Sequence, residues 1–524
     1  MKFHVHGVKF NQFCRLNQTT AWLLFVFNSL ICSSIMLERY CCLVLLGFLL
    51  ASCSSVPPTG KPSSPETGRS ALDKLHSQID SVFADSALSP CFVGAKIVSL
   101  TDGRVLYERN ANKLFHPASN MKLLTTAAAL KILGKEFKFR TVLGADSVIR
   151  RGELRGSLYV KGSGDPLTTI SDIDSLVSSV RSHGIEKVRG GIVGNTSYFD
   201  TLYWGAGWMW DDEPDPDEAF ISALSVNDNA IEVSVGPGRR IGDAVEATLN
   251  PATSFMKVLN SGVTSRDTLI PHIKVTRRRG ENTILIEGRM DPHAAKEQFT
   301  LSVWRPELYF LNLLKERLAE AGVKVRGAVR LDTLAGTLTL AMLSHPIDSV
   351  LHKVNKPSDN LAAESLLKAI AAERGGERGS STVGLSLVES CLAAIGVDTT
   401  NMMLYDGSGV SWYNAISPDA LAQLLVKMSR DTDLFKDFYG SLPVAGMDGT
   451  LKSRMKGTSA EGNVHAKTGS LTGVSSLSGY ATSADGRPLA FSILCNHFPS
   501  KLSVLRDMQD KIMELLTGSR LNIR

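Results

Sequence analysis

The chain has 524 residues, 43% hydrophobic and 21% charged, with a net charge of +5. That length allows a sizeable core and several domain equivalents, and the composition is ordinary for a globular protein. The charge is only mildly basic and no basic run is longer than Arg277-Arg278-Arg279, which excludes a nucleic-acid footprint and makes nucleic acid an unexpected partner.

The first elements read as a leader rather than as fold. Residues 41–52, CCLVLLGFLLAS, form an apolar run of 12 residues, too short to span a bilayer and suited to a signal-peptide core. Leu50-Ala51-Ser52-Cys53 follows, then SSVPPTGKPSSPETG. A small-residue site closed by cysteine ahead of a Ser/Pro/Gly linker resembles a bacterial lipoprotein box. That resemblance implies cleavage before Cys53 and a lipid on Cys53; a plain secretory signal with a chance cysteine is the alternative. A second apolar run occupies 19–37, so Met36 is a candidate true start, with an upstream membrane helix as the other reading. Four of the eight cysteines precede Cys53, leaving Cys91, Cys391 and Cys495 in the body, which permits one disulfide at most.

Residues 54–69 read as a tether. The pattern then predicts a helix over 70–85 and a hairpin in CFVGAKIVSL-TDG-RVLYERN around its Asp-Gly turn. HPASNMKLLTTAAAL (116–130) predicts an apolar helix running to Leu133-Gly134. From 136 to 343 short strand-like runs (GSLYVKG, GGIVGN, AIEVSVGP, TILIEGR, RGAVRLD) alternate with Gly-rich turns, with a helix at 306–322. Helices return at 359–373, 382–396 and 418–430, then a second hairpin, SLSGYAT-SADGRP-LAFSILCN, and a final helix in SKLSVLRDMQDKIMELL.

One lysine interrupts the apolar stretch at 116–130. Lys122 follows Ser119 by three positions, which puts both on one helix face. A serine hydroxyl needs an adjacent base to become a nucleophile, and a desolvated lysine is pushed toward the neutral form that accepts a proton. Ser-x-x-Lys alone is weak: it recurs at 254–257, 365–368 and 453–456. A serine at a helix start is, by itself, more often a cap than a nucleophile. Context separates the first copy, because Ser358-Asp359-Asn360 follows 239 residues after Ser119 and Lys467-Thr468-Gly469 a further 109 after Ser358. The ordered set Ser-x-x-Lys, Ser-x-Asn, Lys-Thr-Gly is the signature of penicillin-binding proteins and serine β-lactamases.

On these motifs and their long first gap, the chain resembles the D-alanyl-D-alanine carboxypeptidase/endopeptidases of the penicillin-binding protein 4 type, the S13 serine peptidases. The stretches GSGDPLT (162–168), GNTSYFD (194–200), ALSVNDNAI (223–231), YDGSGVS (405–411) and LPVAGMDGTL (442–451) match as well, so the resemblance covers about 70–515. It implies an α+β, penicillin-binding/serine β-lactamase-like transpeptidase fold, an antiparallel sheet flanked by helices, built from 70–135 with 344–524 and interrupted by one or two β-rich inserted domains over 136–343. Ser119 is then the residue acylated by the penultimate D-alanine, Lys122 its base, Ser358 a proton relay to the leaving amine, and Asn360 a substrate contact that steadies Lys122. Lys467 supplies positive charge toward the terminal carboxylate, Thr468 contacts that carboxylate, and the N–H groups of Ser119 and Ser470 form an oxyanion hole beside Gly469. Neither metal nor organic cofactor is required. The implied partners are peptidoglycan peptides, β-lactams as inhibitors, and a membrane reached through the lipid; the implied location is exported and periplasmic.

The sequence departs from the pattern in two places. Trp412 stands where a basic residue is common, and Thr472 where some members carry Gln; both departures bear on recognition of a diaminopimelate side chain. GWMWDDEPDPDEAF (207–220) resembles a Trp-x-Trp-x-Asp loop, making Asp212 a candidate for its amine end, while Asp215, Asp217 and Glu218 read as a solvated loop. A β-lactamase on the same scaffold and a catalytically silent wall-binding lipoprotein are the rival readings; the second expects a broken triad of motifs, and the three are intact.

Overall fold

The computed structural model describes residues 71–267, 272–334 and 336–521. The leader, Cys53 and the tether lie outside the described residues. Residues 69–524 form one compact unit.

A five-stranded antiparallel sheet joins the two ends of this unit. Its order is Val105–Arg109, Phe92–Ser99, Pro488–Asn496, Val474–Thr482, His465–Leu471. The first hairpin therefore pairs with the last, from Phe92 opposite Asn496 to Ser99 opposite Leu489. Val474–Thr482 is buried at every position but its last, as a strand covered on both faces must be. On one face the amphipathic helices Ala71–Phe83 and Leu502–Gly518 pack together and bury Leu75, Ile79, Leu505 and Ile512. On the other lie Met121–Leu133, Ile347–Asn355, Asn360–Arg374, Ser381–Ala394, Pro418–Ser429 and Phe435–Ser441. Met121–Leu133 is apolar around its whole girth and is buried from Met121 to Leu130, which marks a central rather than a surface helix.

Between these halves the chain leaves after Gly134 and returns at Ile347. Its exit and entry strands, Lys138–Ala145 and Leu338–Pro346, pair antiparallel with Lys138 opposite Pro346. They belong to a second five-stranded sheet, accompanied by four-, three-, three- and two-stranded sheets. Residues from Leu143 to Leu340 share one hydrophobic cluster, with Pro306–Glu320 and Ile170–Ser182 as its helices. The helix Ile170–Ser182, rich in Ser and Asp, lacks the apolar density that betrays its neighbours in the sequence.

The three cysteines of the described residues are unpaired, Cys495 buried and Cys91 and Cys391 half-buried. No helix among the described residues is long and apolar enough to cross a membrane.

Candidate active site

The Met121–Leu133 helix is preceded by a 3-10 turn, Ala118–Asn120. Ser119 therefore sits in this turn, and the i, i+3 relation carries across the junction: the Lys122 Nζ donates to Ser119 Oγ at 2.9 Å. The same ammonium donates to Asn360 Oδ1 at 2.5 Å and to the Ser408 carbonyl at 2.7 Å. Lys122 is fully buried while Ser119 is half-exposed, so the ammonium lies behind the Ser119 hydroxyl and the hydroxyl faces the cleft.

Ser358 and Asn360 stand at the start of the Asn360–Arg374 helix. Asp359 caps it, accepting from the Ala362 N–H at 2.7 Å. This puts Asn360 in the first turn, where it holds Lys122 and donates from Nδ2 to the Asp217 carbonyl at 2.8 Å. Ser358 adopts a left-handed backbone, φ 74°, unusual for serine, and its Oγ accepts from the Lys467 Nζ at 2.8 Å.

Lys467-Thr468-Gly469-Ser470 lies on the edge strand His465–Leu471. Lys467 is fully buried and also donates to the Thr468 carbonyl at 2.9 Å, and Thr468 Oγ1 donates to Thr450 Oγ1 at 2.7 Å. Glycine is required at 469: a Cβ there would stand 2.2 Å from Ser476 Oγ and 2.9 Å from both the Pro117 oxygen and the Ser119 nitrogen. The strand and the Ser119 turn are stitched by Asn120 Nδ2 to the Lys467 carbonyl (3.0 Å) and Ser476 Oγ to the Pro117 carbonyl (2.7 Å).

The structure thus brings Ser119, Lys122, Ser358, Asn360, Lys467, Thr468, Gly469 and Ser470 to one place. The other Ser-x-x-Lys copies go elsewhere; Lys368, for one, is buried against Asp200 and the Leu202 carbonyl. Asp212 is turned back on its own loop, accepting from the Met209 N–H at 2.8 Å. It is Asp217 and Glu218 of that loop, read from sequence as solvated, that line the cleft. Trp412 lies against the His116 ring and Thr472 is exposed beyond the end of the Lys467 strand.

Several participants carry no motif of their own. Asp406 is fully buried and accepts from Trp208 Nε1, Ser408 Oγ, Gly409 N, Ser411 N and Asn414 Nδ2. Glu364, one turn beyond Asn360, accepts from the Gly407 and Ser408 N–H groups, each at 2.8 Å. Together they fix the Asp406–Ser411 loop whose Ser408 carbonyl takes Lys122. Gly409 (φ 90°) touches the Ser119 turn, since a Cβ there would stand 1.9 Å from the Ala118 oxygen. The YDGSGVS stretch was the available signal.

The cleft encloses about 370 Å³. Ser119, Ser358, Asn360, Thr468, Gly469 and Ser470 line it, with Asp217, Glu218 and Asp228 among the acids and Arg454 and Arg506 as the arginines. Burial pushes the Lys122 ammonium down to about 8, against the opposing pull of Asp406, Asp359, Glu364 and Asp217. Burial, then the charge of Lys122, holds Lys467 well below its ordinary value. Two buried ammoniums oppose one another here, and the surrounding carboxylates favour the charge on Lys122. Burial, then Asp215, Asp212 and Asp217, raise the Glu218 carboxyl to about 8.

Comparison with known proteins matches this architecture to one family. The family model described as the D-Ala-D-Ala carboxypeptidase 3 (S13) family matches residues 75–518. The chain is 35% identical over 452 residues to the D-alanyl-D-alanine carboxypeptidase of Actinomadura sp., covering 83% of each. It is 28% identical over 411 residues to the D-alanyl-D-alanine carboxypeptidase DacB of Haemophilus influenzae, covering 78% of this chain and 85% of that one. The crystal structure of penicillin-binding protein 4 from Haemophilus influenzae superposes with a TM-score of 0.75 at 26% identity, covering 83% of this chain and 97% of that one. With a family match over nearly all the described residues, the chain belongs to the S13 family and is a serine-type D-Ala-D-Ala carboxypeptidase.

Proposed function

We propose that Ser119 is the nucleophile and Lys122 its base in the removal of the terminal D-alanine from peptidoglycan stem peptides. The observation that carries this is the 2.9 Å contact between the buried Lys122 Nζ and the cleft-facing Ser119 Oγ. The stem peptide adds as a strand along the edge of His465–Leu471 beyond its pairing with Pro443 and Val444 at His465 and Ala466, with its scissile carbonyl between the N–H groups of Ser119 and Ser470. Lys122, neutral in roughly a tenth of molecules at pH 7, takes the Ser119 proton as Oγ attacks. The tetrahedral intermediate collapses to an acyl-Ser119, and Ser358 passes a proton to the departing D-alanine amine. A substrate carboxylate at Thr468 favours the charged form of Lys467, and that charge in turn lowers Lys122 further, so binding itself frees the base. Water then hydrolyses the ester. A β-lactam enters by the same attack and remains as the acyl-enzyme.

Ser119→Ala tests the reading. Covalent labelling by a fluorescent penicillin and release of D-alanine both disappear; persistence of either removes Ser119 from the role.

We further propose that 70–135 with 344–524 form the catalytic domain and 136–343 an insert, supported by the cluster from Leu143 to Leu340 that lies within 136–343, while Phe139, Phe199, Ala219, Ile221 and Ala223 pack into the catalytic core. The protein is exported to the periplasm and held to a membrane through lipid on Cys53, a reading that rests on Leu50-Ala51-Ser52-Cys53 and the apolar run before it. Globomycin makes the unprocessed precursor accumulate in expressing cells; normal processing in its presence would sink the lipid anchor.

A further inference from the structure

ALSVNDNAI (223–231) is a matching stretch whose residues have no part in the chemistry above. In its centre Asn227, Asp228 and Asn229 are all left-handed, with φ of 48°, 57° and 52°. Asn and Asp are the non-glycine residues that best tolerate that region, but as single residues, and three in succession are rare. The two asparagines are consumed inside the block that carries them. Asn227 Oδ1 accepts from the Ile170 N–H at 3.2 Å, and Asn229 Nδ2 donates to the Phe220 carbonyl at 2.8 Å and to Ser225 Oγ at 3.0 Å;. Asp228 alone reaches out of the block. Its carboxylate meets Lys353 Nζ at 2.6 Å, and Lys353 lies 3.5 Å from the Asp359 carboxylate. The Lys353 carbonyl also accepts from the Asp359 N–H at 3.3 Å. Asp359 is the cap between Ser358 and Asn360.

We propose that Asp228 is a positioning residue for the reaction: through Lys353 and Asp359 it holds the left-handed Ser358 and the helix start at Asn360 in place. The strained turn exists to aim one carboxylate across the seam, where Asp228 also borders both the 370 Å³ cleft and a neighbouring cavity of 630 Å³. Asp228 touches no reacting atom, and the inference rests on the active site proposed above around Ser119, with Ser358 and Asn360 as its partners.

The test is a double-variant cycle in the full enzyme with Asp228→Asn, which keeps the shape and the left-handed backbone while deleting the charge, and Lys353→Met. D-alanine release from a pentapeptide is measured with the folded fraction fixed by thermal melting. Each single variant lowers kcat about tenfold with KM little changed, because displaced groups rather than lost binding limit the step. The double variant falls no further than the worse single one. A kcat within about twofold of wild type in folded Asp228→Asn, or losses that multiply in the double variant, would overturn the proposal. If Asp228→Asn fails to fold, unchanged kcat in Lys353→Met overturns it equally and a tenfold loss supports it. Loss of labelling in Ser119→Ala alongside normal kcat in Asp228→Asn refutes this inference alone; retained labelling in Ser119→Ala refutes the assignment beneath it.

Discussion

Lys467 and Ser358, 109 positions apart in sequence, meet at 2.8 Å across the cleft, and no carboxylate among the described residues pairs with the lysine there. A buried amine without a counter-ion is most stable uncharged. The Lys122 ammonium, by contrast, has Asp406, Asp359, Glu364 and Asp217 around it. The carboxylates therefore favour the charged form of Lys122, whereas burial and the Lys122 charge disfavour that of Lys467.

That arrangement sets a pH profile. The reactive form of Lys122 is neutral, and its fraction grows as pH rises through about 8. The rate constant for acylation by penicillin should climb between pH 6 and 8 and level off above, with an inflection near 8. Lys122→Arg, which stays charged throughout, should abolish the climb and lower the rate by at least about a hundredfold. Stopped-flow labelling over this range is the measurement, and a flat wild-type profile would contradict the assignment of Lys122 as base.

Gly469→Ala places a methyl against Ser476 Oγ, the Pro117 oxygen and the Ser119 nitrogen. Two of these three are backbone atoms, so the strand must move away from the nucleophile's turn. Acylation should fall by about a hundredfold or more through the damaged oxyanion site, while stability falls by only about 1–3 kcal/mol as for other overpacked sites. Labelling kinetics set beside a melting curve separate the two; an active variant would show that the strand and turn are not rigidly held.

Glu364 offers a stability test. Burial raises its carboxyl to about 7, and Oε2 has no hydrogen-bond partner among the described residues while Oε1 accepts two N–H groups. Folded protein thus binds this proton more tightly than unfolded chain. Its contribution is fully present below the unfolded value and is lost as pH rises toward 7. Glu364→Gln keeps an acceptor for the Gly407 and Ser408 N–H groups and removes the titration. Relative to the variant, the wild type should lose about 1–3 kcal/mol between pH 5 and 8; parallel melting curves across that range would refute it.

The reach of the sequence was uneven for physical reasons. Ser119 and Lys122 pair through one helical turn, a relation that spacing alone displays. Ser358 and Lys467 were legible only as ordered motifs, because nothing local reveals that residues so far apart converge. Ser408 takes part through its carbonyl, which any residue possesses, and so leaves no trace in side-chain chemistry. The loop acids show a related limit: Asp215 and Asp217 are exposed, as Pro and Asp in succession suggest, but only the fold shows Asp217 and Glu218 bordering the cleft, with the Asn360 amide donating to the Asp217 carbonyl. Both hairpins and the last helix were readable from alternation and periodicity, whereas Ile170–Ser182 was concealed by its serines.

The pairing of Phe92–Ser99 with Pro488–Asn496 also governs when the protein can fold. The nucleophile's turn is made early in synthesis, yet the sheet that seats it has no centre until almost the last residues exist. Contacts of such sequence separation form slowly, and a nascent chain lacking Pro488–Asn496 holds two strand pairs, Phe92–Ser99 with Val105–Arg109 and His465–Leu471 with Val474–Thr482, with no strand to join them. Removing residues 485–524 should therefore cost the active site as surely as removing Ser119, because Pro488–Asn496 is the strand that joins the two halves of the sheet.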